Sequence, residues 1–249
     1  MPSRDLGLEQ DILGSPNRMP EGLDYARDVL KARWDEWETQ VLKYIGQRPP
    51  LLYLCVAYAR DVIHGRWETL EPILLQIIAT DEEIADVAVD YACDVIKGPW
   101  DKLEASIWIR QCPAPVAVDY TARVRKACWP ELENFLLTST PDDDVNQALV
   151  KYAANVLGSR WSDAEKFFLA QPTSEESAAA AYWYAKDVIK APWAEGEHLL
   201  LGDTIVANWY SLDVVKGRLS DQLHSNLVLL SFDLTDDEGI KEYIKRHPR

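Results

Sequence analysis

Six glutamates recur at one place in a repeating pattern: Glu38, Glu71, Glu104, Glu133, Glu165 and Glu197. Each follows a tryptophan by four residues, namely Trp34, Trp67, Trp100, Trp129, Trp161 and Trp193. On a helix that spacing puts both side chains on one face, a turn apart. The residues three, seven and eight after the tryptophan share the face and are mostly apolar. A carboxylate held there needs hydrogen-bond or ionic partners. Two chemistries fit. The acids tie helices together through tyrosine hydroxyls, tryptophan indoles or arginine, or they form an acidic row for cations and basic ligands. Six equal copies suit a stacking interaction needed once per repeat, so the structural ladder is the expectation.

Other chemistry-bearing residues are sparse. Arg110, Arg123 and Arg125 are the basic residues that depart from the repeat pattern and could line a polar pocket. Asp142, Asp143 and Asp144 form an acidic run, absent from the other repeats, in a predicted loop that could carry local function. Cys55, Cys93, Cys112 and Cys128 form no CxxC pair, and His64, His198, His224 and His247 lack metal-ligand spacing. No phosphate-binding loop, dinucleotide fingerprint, zinc-protease motif or nucleophile elbow occurs. No catalytic residue, metal site or cofactor is therefore expected.

These residues are positioned by a tandem repeat. YARDVLKARWDEWE at Tyr25 returns as YARDVIHGRWETLE at Tyr58, YACDVIKGPWDKLE at Tyr91 and YTARVRKACWPELE at Tyr120. It continues as YAANVLGSRWSDAE at Tyr152, YAKDVIKAPWAEGE at Tyr184 and a degenerate YSLDVVKGRLSDQL at Tyr210. The tyrosine, a small residue after it and a valine four after it make an apolar stripe at helical spacing. Asp28, Asp61, Asp94, Asn155, Asp187 and Asp213 lie at the stripe's edge and invite the same structural reading as the glutamates. Seven after the tyrosine stands Ala, Gly or Ser, where a glycine-type C-cap should end the first helix. The tryptophan then opens a second helix with acids in its first turn, favourable at the positive end of the helix dipole. Gly46–Pro50, Cys112–Pro115, Thr138–Asp144 and Gln171–Glu175 break the chain between repeats.

The predicted fold is all-α, a right-handed α-solenoid of about seven two-helix hairpins of about 32 residues each. Residues 1–20 read as an irregular N-terminal cap or arm, 21–232 as the repeats, and 233–249 as a C-terminal capping helix and tail with Thr235 as N-cap. The recurrent tryptophans read as plugs between helices.

Composition narrows the function. Asp plus Glu outnumber Lys plus Arg by 41 to 26, giving a formal charge of −15. Such a chain repels phosphate backbones and anionic membranes, so neither direct nucleic-acid binding nor membrane association is expected. No 18-residue apolar run or secretory leader is evident. Unpaired thiols fit a cytoplasmic setting.

The YARDVIxGRWxxxE frame resembles a family of tandem-repeat proteins encoded by bacteriophages. The likeness covers roughly residues 21–230, and the Tyr120 repeat departs most, with Arg123 and Arg125 at the acidic and aliphatic positions. It implies a viral protein acting on a factor in the host cytoplasm. A non-enzymatic scaffold with a protein partner is the expected function. The alternatives are an acidic decoy for a nucleic-acid-binding site and a small-molecule-sequestering, anti-defence protein.

Overall fold

The computed structural model describes residues 4–79, 84–105, 112–233 and 238–247. The chain is all-helical, with no strand among the described residues. It divides into two compact units, residues 1–125 and 126–249. The first contains α1 (Leu6–Leu13), α2 (Met19–Asp24), α3 (Asp35–Ile45), α4 (Leu51–Tyr58), α5 (Glu71–Ile78), α6 (Asp86–Asp90), α7 (Asp101–Glu104) and α8 (Ala114–Tyr120). The second contains α9 (Pro130–Thr138), α10 (Asp143–Tyr152), α11 (Ser162–Leu169), α12 (Glu175–Trp183), α13 (Thr204–Tyr210), α14 (Asp221–Asp233) and α15 (Glu238–Arg246). A 3-10 segment, Ala194–Gly202, precedes α13.

Each first helix of the sequence repeat ends in a π-helical turn: Tyr25–Leu30, Ala59–Ile63, Tyr91–Ile96, Thr121–Arg125, Ala153–Leu157, Tyr184–Ile189 and Ser211–Val215. π-turns are rare and are usually single functional bulges. Seven at one repeat position make this one architectural. The wide turn leaves the carbonyl after the tyrosine facing the helix end. Ala26 and Ala59 carbonyls accept from the Ala32 and Gly65 amides at 3.3 and 3.2 Å, and the Ala92 carbonyl accepts from Lys97 and Gly98 at 2.7 and 3.2 Å.

The C-cap differs from the sequence expectation. The left-handed residue is not in the small-residue column but one position earlier: Lys31, His64, Lys97, Lys126, Gly158, Lys190 and Lys216. Gly65 and Gly98 do not have positive φ, and a Cβ on either would meet nothing within 4 Å. The longer π-turn shifts the helix end back by one residue. A β-carbon in the left-handed region costs about 1–2 kcal/mol, and glycine avoids it. Lys97→Gly is therefore expected to raise the unfolding free energy by about 1 kcal/mol in a urea melt. An unchanged or lower midpoint would contradict the assigned backbone.

Most second helices begin at the tryptophan, while α5 starts four residues after Trp67. Trp34, Trp129 and Trp161 are extended N-cap residues of α3, α9 and α11, and Pro130 occupies the first turn of α9. All six repeat tryptophans are buried. Their rings sit beside the tyrosine of the same repeat, as in Tyr25–Trp34 at 5.3 Å, Tyr91–Trp100 at 5.2 Å and Tyr184–Trp193 at 5.3 Å. Close approach has a local marker in Gly22, where a Cβ would lie 2.0 Å from the Trp37 indole, itself fully buried.

The two ends are more regular than the sequence suggests. Residues 1–20 were expected to be irregular but include α1, capped by Asp5 accepting from the Leu8 amide at 3.0 Å. The closing helix is present as α15, while Thr235 lies outside the described residues.

Candidate functional site

Five of the glutamates build rungs that tie their repeat to the tyrosine of the next. The backbone N–H of Trp34 donates to the Tyr58 hydroxyl at 2.7 Å, and that hydroxyl donates to Glu38 at 3.0 Å. The same rung joins Trp67, Tyr91 and Glu71 at 2.8 and 3.3 Å, and Trp100, Tyr120 and Glu104 at 2.9 and 2.8 Å. In the second unit it joins Trp129, Tyr152 and Glu133 at 2.8 and 2.6 Å, and Trp161, Tyr184 and Glu165 at 2.7 and 2.9 Å. An N-cap residue's amide is one of the orphan donors of a helix start. The tyrosine of the following repeat satisfies it and passes its own proton to the carboxylate.

Arginine completes several rungs. Arg33, Arg66 and Arg160, just before the tryptophan, fork onto Glu38, Glu71 and Glu165 with both nitrogens. Bidentate forks of this kind are the stronger carboxylate contacts. Pro99 removes that arginine from the third repeat, and Arg125 replaces it on Glu104. Lys102 adds a contact to Glu71 at 3.3 Å.

Two further rungs were hidden in the sequence. Arg4 forks onto Glu9, the Tyr25 hydroxyl donates to Glu9 at 2.8 Å, and the Asp5 amide donates to Tyr25 at 3.0 Å. Arg4-Asp5-x-x-x-Glu9 is the Arg-Trp-x-x-x-Glu pattern with aspartate for tryptophan. At the other end the Leu219 amide donates to Tyr243 at 3.3 Å, and His224 Nδ1 lies 2.8 Å from that hydroxyl. The sixth repeat lacks the acid. Tyr210 accepts from the Trp193 amide at 2.7 Å, but Glu197 forms no bond to it. The 3-10 winding of Ala194–Gly202 turns three residues per turn, which rotates Glu197 off the tryptophan face.

Four of the tryptophan indoles take no part in the rungs. The Nε1 atoms of Trp34, Trp67, Trp100 and Trp193 are buried without a hydrogen-bond partner among the described residues. Burial is uneven down the ladder: Glu9, Glu38 and Glu71 are buried, while Glu104, Glu133, Glu165 and Glu197 are half-buried.

Three of the rung acids and two of the phenols are shifted in opposite directions. Glu9 and Glu165 lie below their ordinary 4.5, chiefly because Arg4 and Arg160 bond the charged form. Burial pushes Glu71 up, but Arg66 and Lys102 together hold it below 4.5. Burial pushes Tyr91 and Tyr210 up to about 12. The acids' folded pKa values are depressed, so their stabilisation is complete above pH 4.5 and is lost as pH falls through the folded values. The tyrosines' values are raised, so theirs is complete below pH 10 and lost on passing about 12. Thermal midpoints should fall on the acid side of 4.5, and fall less in Glu165→Gln. A variant that tracks the wild type through acid would contradict the coupling.

The remaining candidates do not converge. Arg123 pairs with Asp119 at 2.9 Å and Asp90 at 3.0 Å, and Arg125 belongs to the Glu104 rung. Arg110 lies outside the described residues. Asp142 caps α10, accepting from the Val145 amide at 2.8 Å, and Asp143 and Asp144 are exposed in its first turn. No trio of His, Cys, Asp or Glu among the described residues could hold a metal, and no described helix is long and apolar enough to cross a membrane.

A surface feature in the second unit went unseen in the sequence. The position before each repeat tyrosine holds Asp24, Ala57, Asp90, Asp119 and Lys151, then Trp183 and Trp209. Trp183 is 43% exposed and Trp209 46%, with Ile205 and Leu212 equally open beside them in sequence. The Tyr182 ring bridges the two tryptophans, at 4.8 Å from Trp183 and 6.1 Å from Trp209. Against Trp183 lies a groove of about 320 Å³ between α10 and α12, walled by Val150, Ala179 and Ala180 and carrying Asp143, Lys151 and Asp187. Large exposed apolar groups gathered on one face mark interaction surfaces. No family model, curated protein or solved structure matches the chain.

Proposed function

We propose that the chain is a non-enzymatic scaffold, an α-solenoid of stacked two-helix repeats that holds another protein on the face of its first helices. The observation that carries this reading is the Trp183–Trp209 row with Ile205 and Leu212. Earlier repeats put Asp24, Asp90 and Asp119 where these tryptophans stand, so packing within a repeat does not require them. Exposed tryptophans beside a groove are the residue type that dominates binding energy at protein interfaces. The resemblance to phage repeat proteins supports a partner in the cytoplasm of a bacterial host. An acidic decoy would need a face nearly free of basic residues. The first helices carry Arg27, Arg60 and Arg123 among their acids in the first unit and Lys186 in the second, which favours the scaffold.

The test is affinity capture with the wild type and with Trp183→Ala/Trp209→Ala, compared by quantitative mass spectrometry. The double variant should keep its thermal midpoint within a few degrees and recover the wild-type partner at least tenfold less. Equal recovery would exclude this face as the docking surface.

A further inference from the structure

Some exposed charges of the first helices pair from repeat to repeat. In two pairs of repeats a cation two residues after one tyrosine reaches the aspartate three residues after the next tyrosine. Arg60 pairs with Asp94 at 3.1 Å, and Lys186 pairs with Asp213 at 2.7 Å. At Asp61 the cation is present but turned aside, since Arg27 bonds Asp24 and Asp28; at Asp187 the cation itself is missing. Ala154 stands where the cation for Asp187 should be. Lys186, adjacent in sequence, is already committed to Asp213 and to the Tyr182 hydroxyl at 2.7 Å. Asp187 has no hydrogen bond or ion pair among the described residues.

That unpaired carboxylate opens onto the groove beside Trp183, together with Asp143. The cation on the groove wall, Lys151, bonds Gln147 at 2.7 Å. Asn146, bonded to Gln171, and Gln147 are the other polar residues of the wall, and Val150, Ala179, Ala180 and Trp183 are its apolar part. The Trp183 ring already attracts one cation, with Lys186 Nζ 4.9 Å from its centre. We propose that the groove takes an arginine side chain of a partner protein, with Asp187 as its ion-pair partner.

An arginine supplies what the site lacks. Its aliphatic stem covers the apolar wall. Its planar guanidinium carries donors for two carboxylates and stacks on an aromatic ring, which a lysine ammonium does less well. A chain of charge −15 draws in a basic segment from a distance. The proposal rests on the docking reading above and adds the chemistry of the partner.

The probe is an acetylated, amidated nonapeptide with one central arginine among alanines and leucines, beside the same peptide with citrulline. Binding is read on the Trp183 indole N–H resonance, assigned by its loss in Trp183→Phe. The wild type should bind the arginine peptide about tenfold more tightly than the citrulline peptide. Asp187→Asn should remove that difference. Ala154→Arg, which restores the missing cation from within, should abolish binding without lowering the thermal midpoint. Equal binding of the two peptides, no binding of the arginine peptide, or undiminished binding to Ala154→Arg would overturn the proposal. Sedimentation of both proteins gives a separate outcome: a wild-type dimer dissociated by Ala154→Arg would assign the groove to a second copy of the chain and also overturn it. The two readings fail separately. If Trp183→Ala/Trp209→Ala loses the captured partner while Ala154→Arg keeps it, the docking face stands and the arginine falls.

Discussion

Trp100→Ala should lower the unfolding free energy by about 3–5 kcal/mol, the usual cost of emptying a buried aromatic site. Trp100 is 1% exposed and packs against Tyr91 at 5.2 Å. The side chain contributes only apolar volume, because its indole nitrogen bonds nothing among the described residues. The rung is made by its backbone N–H, which alanine keeps. The loss should therefore appear as a cavity effect, and Trp100→Phe should recover a large part of it. Paired urea melts measure both. A Trp100→Ala midpoint equal to wild type would mean an exposed ring and would return the tryptophan column to the role of a binding stripe.

Glu71→Ala should cost about 1–3 kcal/mol, because it strands a buried hydroxyl. Glu71 is 1% exposed and accepts from Tyr91, Arg66 and Lys102. Without it the Tyr91 hydroxyl keeps the Trp67 amide as donor but has no acceptor for its own proton. Arg66 and Lys102 return to water at little cost, since both are about half exposed or more. Glu71→Gln retains an acceptor for Tyr91 and should cost less than Glu71→Ala. Equal stability of Glu71→Ala and wild type would show the ladder acids to be solvated surface charges.

The repeat itself was legible because each repeat re-uses the same helix-forming stripe. The columns Tyr25 to Tyr210 and Trp34 to Trp193 fix local helices through spacing alone. The recurrence of glutamate on an apolar face pointed to tyrosine, indole or arginine partners without saying which tyrosine, and only Glu38 and Glu71 of the six are fully buried. The tyrosine that binds Glu71 is 20 residues further on, in the next repeat. Spacing along one helix says nothing about contacts across a stack. The first helices end within two residues of Gly65, Gly98 and Ala191, as the small-residue column indicated, but the left-handed cap was placed one residue late because glycine in a column normally signals positive φ. A π-turn moves that position onto Lys97, whose long side chain gives no such signal.

Degenerate rungs escaped for a related reason. Asp5 and Leu219 replace tryptophan, so the pattern vanishes although their amides still bond the next tyrosine. The reverse happened at the candidate site. Trp183 and Trp209 were overlooked because the position before the tyrosine varies from repeat to repeat and forms no column, and their exposure sets them apart from the buried Trp193. Arg123 and Arg125 stood out as pattern breakers, but the structure spends them on Asp90, Asp119 and Glu104. Asp187 matched its column perfectly. Its significance lies in an alanine 33 residues earlier, Ala154.

Amide hydrogen exchange, resolved residue by residue, tests the ladder most directly. The amides of Trp34, Trp67, Trp100, Trp129, Trp161 and Trp193 open the second segment of each repeat and have no helical acceptor. The account predicts that they exchange as slowly as amides inside the helices, because each donates to the tyrosine hydroxyl of the next repeat. Tyr91→Phe should then release protection at Trp67 first. Exchange of the tryptophan amides at the rate of open loops in the wild type would contradict it.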